Sequence, residues 1–279
     1  MTIVRPLLAV LGACALALAV GLMARRPRTD RPWAADQAVQ PRVTFLGAGG
    51  APSRVRIDSV RAFRHAPGGA FEAAYRTEAF DLADVRGVWF ALAPFAGSWN
   101  GLAHVFVSFE LEGPRFLAVS VEARREADES YSLVGGLTRR FEMTYVVGTE
   151  PDLLGVRALR GDVLYLYPSR ATPEQARAML VDMLGRSERL RAEPEFYNTL
   201  VNNCATNLRA HVNRVVEKDL PFGWAVLFPG YSDELALERG LLATDLPLEQ
   251  ARARYRVDEK VRAALAGGVD DFSERIRAE

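Results

Sequence analysis

Cys204 stands at the start of a helical pattern. It is preceded by Asn202 and Asn203 and followed by Leu208, Val212, Val215 and Val216 at spacings of three and four. The pattern predicts a helix from Cys204 to about Glu217, with Asn203 as its N-cap. A thiol in the first turn faces unpaired backbone N–H groups and the positive end of the helix dipole. Both favour the thiolate, so Cys204 has the setting of a nucleophile. The other cysteine, Cys14, lies in an N-terminal apolar run, which leaves no disulfide framework.

A thiol nucleophile needs a base, and the base needs an orienting group. Three histidines are available. His211 is seven residues beyond Cys204, roughly 10 Å along the same helix and out of hydrogen-bond reach. His65 sits before the turn Pro67-Gly-Gly69 and is expected to be exposed. His104 lies in an alternating stretch, with Val105, Val107, Phe109 and Leu111 on one face and His104, Phe106, Ser108 and Glu110 on the other. Glu112-Gly-Pro114 ends that stretch. With Gly113 at the centre of the turn, His104 and Glu122 are each nine residues away, and so stand opposite one another on adjacent antiparallel strands. A carboxylate there fixes the imidazole tautomer and raises its basicity. A bulge or a slip of one residue would put Glu122 on the other face; the alternative for Glu122 is an edge glutamate paired with Arg124 or Arg125.

The elements that must hold these groups are strands first and helices later, which predicts an α+β fold, an antiparallel sheet with packed helices. Strands are expected at 54–63, 71–82, 102–111, 116–121, 141–147 and 163–167; the form of 85–98 is left open. Thr172-Pro-Glu-Gln175 opens an amphipathic helix running to Leu190. Shorter helices are expected at 232–242 and 258–276.

Leu7 to Ala24 is uncharged and apolar, about long enough to cross a bilayer, and is read as a signal-anchor, an N-terminal transmembrane helix at 1–24. Residues 25–53, rich in Pro, Gly, Ala and Arg, read as a flexible tether, and 54–279 as the folded domain. This arrangement gives a single-pass anchor in the inner membrane with the domain in the periplasm, although the arginines after the span favour the opposite orientation. Net charge is zero and no basic block tracks a phosphate backbone, which argues against a nucleic-acid partner. No histidine–cysteine spacing matches a metal site, and no cofactor is expected.

The segments Gly101-Leu-Ala-His-Val-Phe-Val-Ser-Phe109, Ser120-Val-Glu-Ala-Arg-Arg-Glu126, Gly136-Leu-Thr-Arg-Arg-Phe-Glu142, Val163-Leu-Tyr-Leu-Tyr-Pro168, Pro194-Glu-Phe-Tyr-Asn-Thr-Leu-Val-Asn-Asn-Cys-Ala-Thr-Asn207 and Leu227-Phe-Pro-Gly-Tyr-Ser-Asp233 occur in this order. On them the chain, from about Arg54 to Leu242, resembles the Lnb N-terminal periplasmic domain family. That family is similar to permuted papain-like (NlpC/P60-related) folds, and its name-giving member to a thiol-dependent acyltransferase that N-acylates bacterial lipoproteins. The resemblance implies Cys204 as nucleophile, His104 as base and Glu122 as orienter. The developing oxyanion would meet the Cys204 N–H and an amide of Asn202 or Asn203, with Tyr197 and Arg139 at the substrate.

The expected function is a cell-envelope acyltransferase or lipid acyl hydrolase working through a thioester, with a phospholipid acyl donor and a lipoprotein or peptide acceptor. The alternatives are a thiol amidase or peptidase on cell-wall peptide, and a non-catalytic envelope module. The aromatic stretch Phe222–Tyr231 would line an acyl groove, touch the bilayer or cover the core, and Arg139, Arg140 and Arg160 would meet lipid phosphates or pair on the surface.

Overall fold

Alternating apolar residues build most of the sheet. The structure, a computed structural model, describes residues 20–47, 52–97, 99, 101–269 and 271–278. Its strands are β1 (Arg42–Leu46), β2 (Arg54–Arg61), β3 (Arg64–His65), β4 (Phe71–Glu72), β5 (Tyr75–Asp81), β6 (Val85–Pro94), β7 (Ala103–Leu111), β8 (Arg115–Arg124), β9 (Glu142–Gly148) and β10 (Tyr165–Pro168). Its helices include α1 (Leu133–Leu137), α2 (Glu150–Leu159), α3 (Pro173–Ala192), α4 (Cys204–Asn213), α5 (Trp224–Leu227), α6 (Ser232–Glu238), α7 (Leu248–Tyr255), α8 (Asp258–Ala266) and α9 (Phe272–Arg277).

The main sheet runs β1-β2-β9-β8-β7-β6-β10, with β5 also on β2. The segment left open at 85–98 supplies β6, which pairs along the whole of β7. Helices cover both faces. On one, Val105, Val107 and Phe109 pack with Leu180, Met183 and Leu208 of α3 and α4. On the other, Phe106 and Ala118 pack with Leu153 and Leu154 of α2 and with Val261 and Ile276. The middle strands are therefore buried on both faces, as strands between two helical layers must be.

Two features of the expected fold need correction. The sheet is mixed, because β2 meets β9 in parallel at Arg61 and Gly148. The chain turns from β9 straight into α2 there, and Thr149 N–H donates to Arg61 O at 2.9 Å, so the end of β2 closes the exposed edge of β9. The expected transmembrane helix is not supported either: no helix among the described residues is long and apolar enough to cross a membrane. Residues 7–19 of that stretch, Cys14 among them, lie outside the described residues. Residues 20–24 are helical, and Arg139, just after α1, donates to the carbonyls of Leu22 and Met23.

Residues 25–53, expected as a tether, carry β1, which pairs with β2 over five residues, and Gln37, whose side chain binds the backbone at Ala123 and Arg125. The helix expected at 258–276 is two, broken at Gly267-Gly268, where Gly268 has φ of 103°. The thiol helix ends at Asn213 instead of Glu217.

Candidate functional site

The hairpin of β7 and β8 sets the first two groups. Its ladder pairs Phe106 with Ser120, Val107 with Val119 and onward to Leu111 with Arg115 around the Glu112–Pro114 turn. Carried two residues outward, the same register sets His104 against Glu122. Their side chains meet, His104 Nε2 lying 3.0 Å from Glu122 Oε1. Ser120 stands between them: its Oγ is 2.7 Å from His104 Nε2 and donates to Glu122 Oε1 at 2.7 Å. The Ser120 proton points to the carboxylate, so its oxygen accepts from His104. Nε2 thus carries a proton shared between Ser120 and Glu122.

The third group arrives on α4. Asn203 caps this helix, its side-chain oxygen accepting from Thr206 N–H at 2.9 Å while Thr206 Oγ1 accepts from Asn203 N–H at 2.8 Å. Such a box contributes about 1 kcal/mol to the helix start. It fixes Cys204 at the first helical position, buried, with its free thiol beside the His104 imidazole and the Val105 N–H, both of which act on it electrostatically. The Cys204–His104–Glu122 line therefore joins a helix N-terminus to two strands, across about a hundred residues of sequence.

The charges support one another. Burial pushes the Cys204 thiol up, but His104 and the Val105 N–H outweigh it and hold the thiol below its ordinary range. Burial also disfavours a charged His104; Glu122 overrides this, assisted by Cys204, and lifts the imidazole from 6.5 to about 9. Burial would raise Glu122, yet His104 and Arg157, with the Ser120 hydroxyl, hold it well below the usual carboxylate range. The thiol is lowered and the imidazole raised, so the two shifts together favour the thiolate–imidazolium pair over the neutral one.

These groups open on a cavity of about 450 Å³. Tyr197 and Asn203 also line it. Tyr197 is buried, with its phenol well above the ordinary range through burial and the neighbouring thiolate. Asn202 is not on the wall. Its amide donates to Phe196 O at 3.0 Å and its oxygen accepts from Asn207 Nδ2 at 3.0 Å, bracing the approach to α4. The Asn203 amide donates to Thr199 O at 2.6 Å. Both asparagine amides are thus engaged elsewhere. Arg139 is exposed, away from the cavity, at φ of 54° beside the Phe196 ring.

His65, expected to be exposed, is buried on Asp152, at 2.7 Å from Oδ1, because Asp152 at the start of α2 also holds Arg61 through both oxygens. His211 lies between Tyr145 and Asp182, each at 2.6 Å, on the side of α4 away from the thiol. Among the described residues no cluster of His, Cys, Asp and Glu could hold a metal ion.

Two participants were not anticipated. Ser120 shares a face with Glu122 two residues away, so the same register argument reaches it. Arg157, whose guanidinium lies 3.2 Å from Glu122 Oε1, comes from α2. Its signal is Thr149-Glu-Pro-Asp152, with a cap at Thr149 and Pro151 in the first turn, the same kind of start as Thr172-Pro-Glu-Gln175.

Fold and site together define an α+β domain in which a buried cysteine, a histidine and a glutamate meet at one wall of a cavity. The family model of the Lnb N-terminal periplasmic domain matches residues 71–230, more than half of the chain and all three of these positions, and the chain belongs to this family. It is thus a periplasmic domain, with a role in the cell envelope. No curated protein and no solved structure matches the chain.

Proposed function

We propose that the domain is a thiol-dependent acyltransferase or acyl hydrolase of the cell envelope, acting on an amphipathic acyl ester. The observation that carries this reading is the contact of Cys204 with His104, itself held by Glu122, on the wall of the cavity. The surroundings favour a lipid over a cell-wall peptide. One lip of the cavity is α1 with the adjoining turn, where Leu133, Val134, Leu200 and Val201 are exposed and Thr199 Oγ1 ties the turn to Leu133 O at 2.9 Å. The other, reached through Leu227 and Pro229, carries exposed Trp99 and Trp224, the first packed edge-on and the second tilted against Phe228. Apolar residues grouped around a polar cavity suit an acyl chain drawn from a membrane phospholipid.

In this mechanism His104 Nδ1 faces the thiol, Nε2 being held by Ser120 and Glu122. The thiolate attacks the ester carbonyl carbon. A C–S bond forms, and the carbonyl electron pair moves to oxygen. The backbone N–H of Cys204, at the open end of α4, meets the oxyanion, assisted by the Tyr197 hydroxyl from the cavity wall. Collapse breaks the C–O bond, and the leaving alkoxide takes the Nδ1 proton, giving a thioester and an alcohol. An amine or water then gives its proton back to His104, attacks the thioester carbonyl and expels the thiolate. An amine acceptor, on a lipoprotein or peptide, yields an amide; water yields a free fatty acid.

Incubation with an acyl-chain chloromethyl ketone, followed by mass mapping, tests the reading. The adduct is expected on Cys204 in the wild type and absent in Cys204→Ser and His104→Ala. Reaction with a peptide chloromethyl ketone, but none with the acyl probe, would replace lipid by cell-wall peptide as the substrate. No adduct with either would remove the enzymatic reading.

A further inference from the structure

Four arginines line the cavity, and three of them have carboxylate partners. Arg157 meets Glu122 at 3.2 Å, Arg61 meets Asp152 at 2.8 Å and Arg125 meets Asp36 at 3.1 Å. Arg160 is different. Its guanidinium makes no hydrogen bond or ion pair with any described residue, and the side chain stays exposed at the cavity wall. Arg160 caps the C-terminal end of α2, one turn after Arg157, so both cations project from the same face of the helix end. The helix dipole favours positive charge there. Partial burial and the repulsion of Arg157 lower the Arg160 pKa from 12.5, but leave it charged near neutral pH. Five N–H donors in a planar fork therefore face the space that also holds Cys204 and His104; Glu122 and Asp36 act on them only from a distance, each already paired with another arginine.

We infer that Arg160 is the anion-binding residue of this cavity, and that it takes the phosphodiester group of a substrate whose acyl carbonyl lies at Cys204. A planar guanidinium pairs two of its N–H groups with two oxygens of one phosphate or carboxylate. The charge balance of the wall selects between anions. Asp162, buried and lining the same cavity, sets its carboxyl group two residues from Arg160, where it accepts from Ala96 N–H at 2.9 Å and pairs with no cation among the described residues. Its charge disfavours a dianion, so a phosphodiester with one negative charge fits better than a phosphate monoester or inorganic phosphate. Arg157 cannot take this part without leaving Glu122, the residue that holds His104. Arg160 is therefore a specificity residue: it selects for an acyl donor with a single anionic headgroup and has no part in the chemistry of the thiol.

This assignment rests on the cavity being the substrate site of the proposed function, and its test does not depend on turnover. Binding of soluble dihexanoyl-phosphatidylglycerol to the Cys204→Ser protein is measured by calorimetry, alone and with Arg160→Ala or Arg160→Lys added. Uncharged dihexanoylglycerol and inorganic phosphate serve as comparisons. The phosphodiester lipid is expected to lose about tenfold or more in affinity with Arg160→Ala and to recover part of it with Arg160→Lys. Binding of the uncharged lipid should not change. Since the Arg160 side chain makes no bond to any described residue, circular dichroism and melting temperature should be those of the parent. Equal affinity of the phosphodiester lipid for the Arg160→Ala protein would overturn the assignment. So would inorganic phosphate binding as tightly as the lipid and depending equally on Arg160. Loss of the Cys204 adduct reading, with Arg160-dependent lipid binding intact, would remove the thiol chemistry and leave this site standing.

Discussion

Glu122→Gln isolates the part of the site that only a charge can play. Glutamine keeps the shape and can still accept from His104 and Ser120, but it removes the charge beside the imidazole. In the wild type His104 rises from 6.5 to about 9 against the cost of its own burial. That interval corresponds to about 3 kcal/mol favouring the imidazolium. Glu122 supplies the largest favourable part, ahead of Cys204, while Arg157 opposes. Without the carboxylate, burial and Arg157 both act against the charged ring, and His104 should be neutral at pH 7. Cys204 then loses its strongest stabilising neighbour. Glu122 also repels the thiolate directly, which by itself would make the substitution lower the thiol pKa. That repulsion is the smallest of the main influences on Cys204, whereas His104 is second only to burial, so the net effect is upward. The assay is the rate of carbamidomethylation of Cys204 by iodoacetamide from pH 5 to 10, followed by mass spectrometry. The wild-type midpoint should lie below the ordinary thiol value of about 8.5, and in Glu122→Gln it should rise by about one to two pH units. At pH 6 the rate should fall by about 10- to 100-fold. A midpoint that stays in place in a variant with wild-type circular dichroism would refute the claim that Glu122 acts through His104.

Three other outcomes follow from the same geometry. Hydrolysis of a soluble short-chain glycerol ester, whose alkoxide leaving group needs a proton, should decline as pH rises through about 9, where His104 loses the proton it gives to the leaving group; a rate that holds to pH 10.5 would exclude that role. Asn203→Ala removes the cap of α4 and should cost about 1 kcal/mol in urea denaturation, with an effect under about 0.3 kcal/mol counting against the capping account. Asp152→Asn leaves the Arg61 guanidinium without its bidentate partner and frees His65. It should destabilise the fold by about 3 kcal/mol or more, and an unchanged melting curve would show that this buried pair is not needed to join β2 to α2.

Much of the site was legible in the chain because its parts depend on local rules. The alternation of residues 103–111, the Gly113 turn and a fixed antiparallel register bring His104 to Glu122 with no further information, and Ser120 follows from the same period of two. The cap at Asn203 is likewise local, since its partner Thr206 is three residues away. The α+β order of elements and the helix opened by Thr172 belong to the same class.

The rest depends on which surfaces meet. Nothing near Cys204 in sequence specifies that α4 ends against β7 so that the thiol reaches His104 and Val105 N–H; that contact comes from packing Leu208 against Val105 and Val107. The burial of His65 and the arrival of Arg157 at Glu122 both depend on where α2 lies over the sheet. The parallel junction of β2 and β9 joins residues nearly ninety positions apart. Local periodicity can say which face of a strand a residue occupies. It cannot say what is packed against that face, and so Asn202 and Arg139, plausible by type and position, lie off the cavity while Arg160 lines it with no partner among the described residues. The sequence by itself determined a thiol at a helix start and a histidine–carboxylate pair on a hairpin. Only the tertiary structure decided that they meet at one cavity, because their contact is set by how helix and sheet bury their apolar faces against each other.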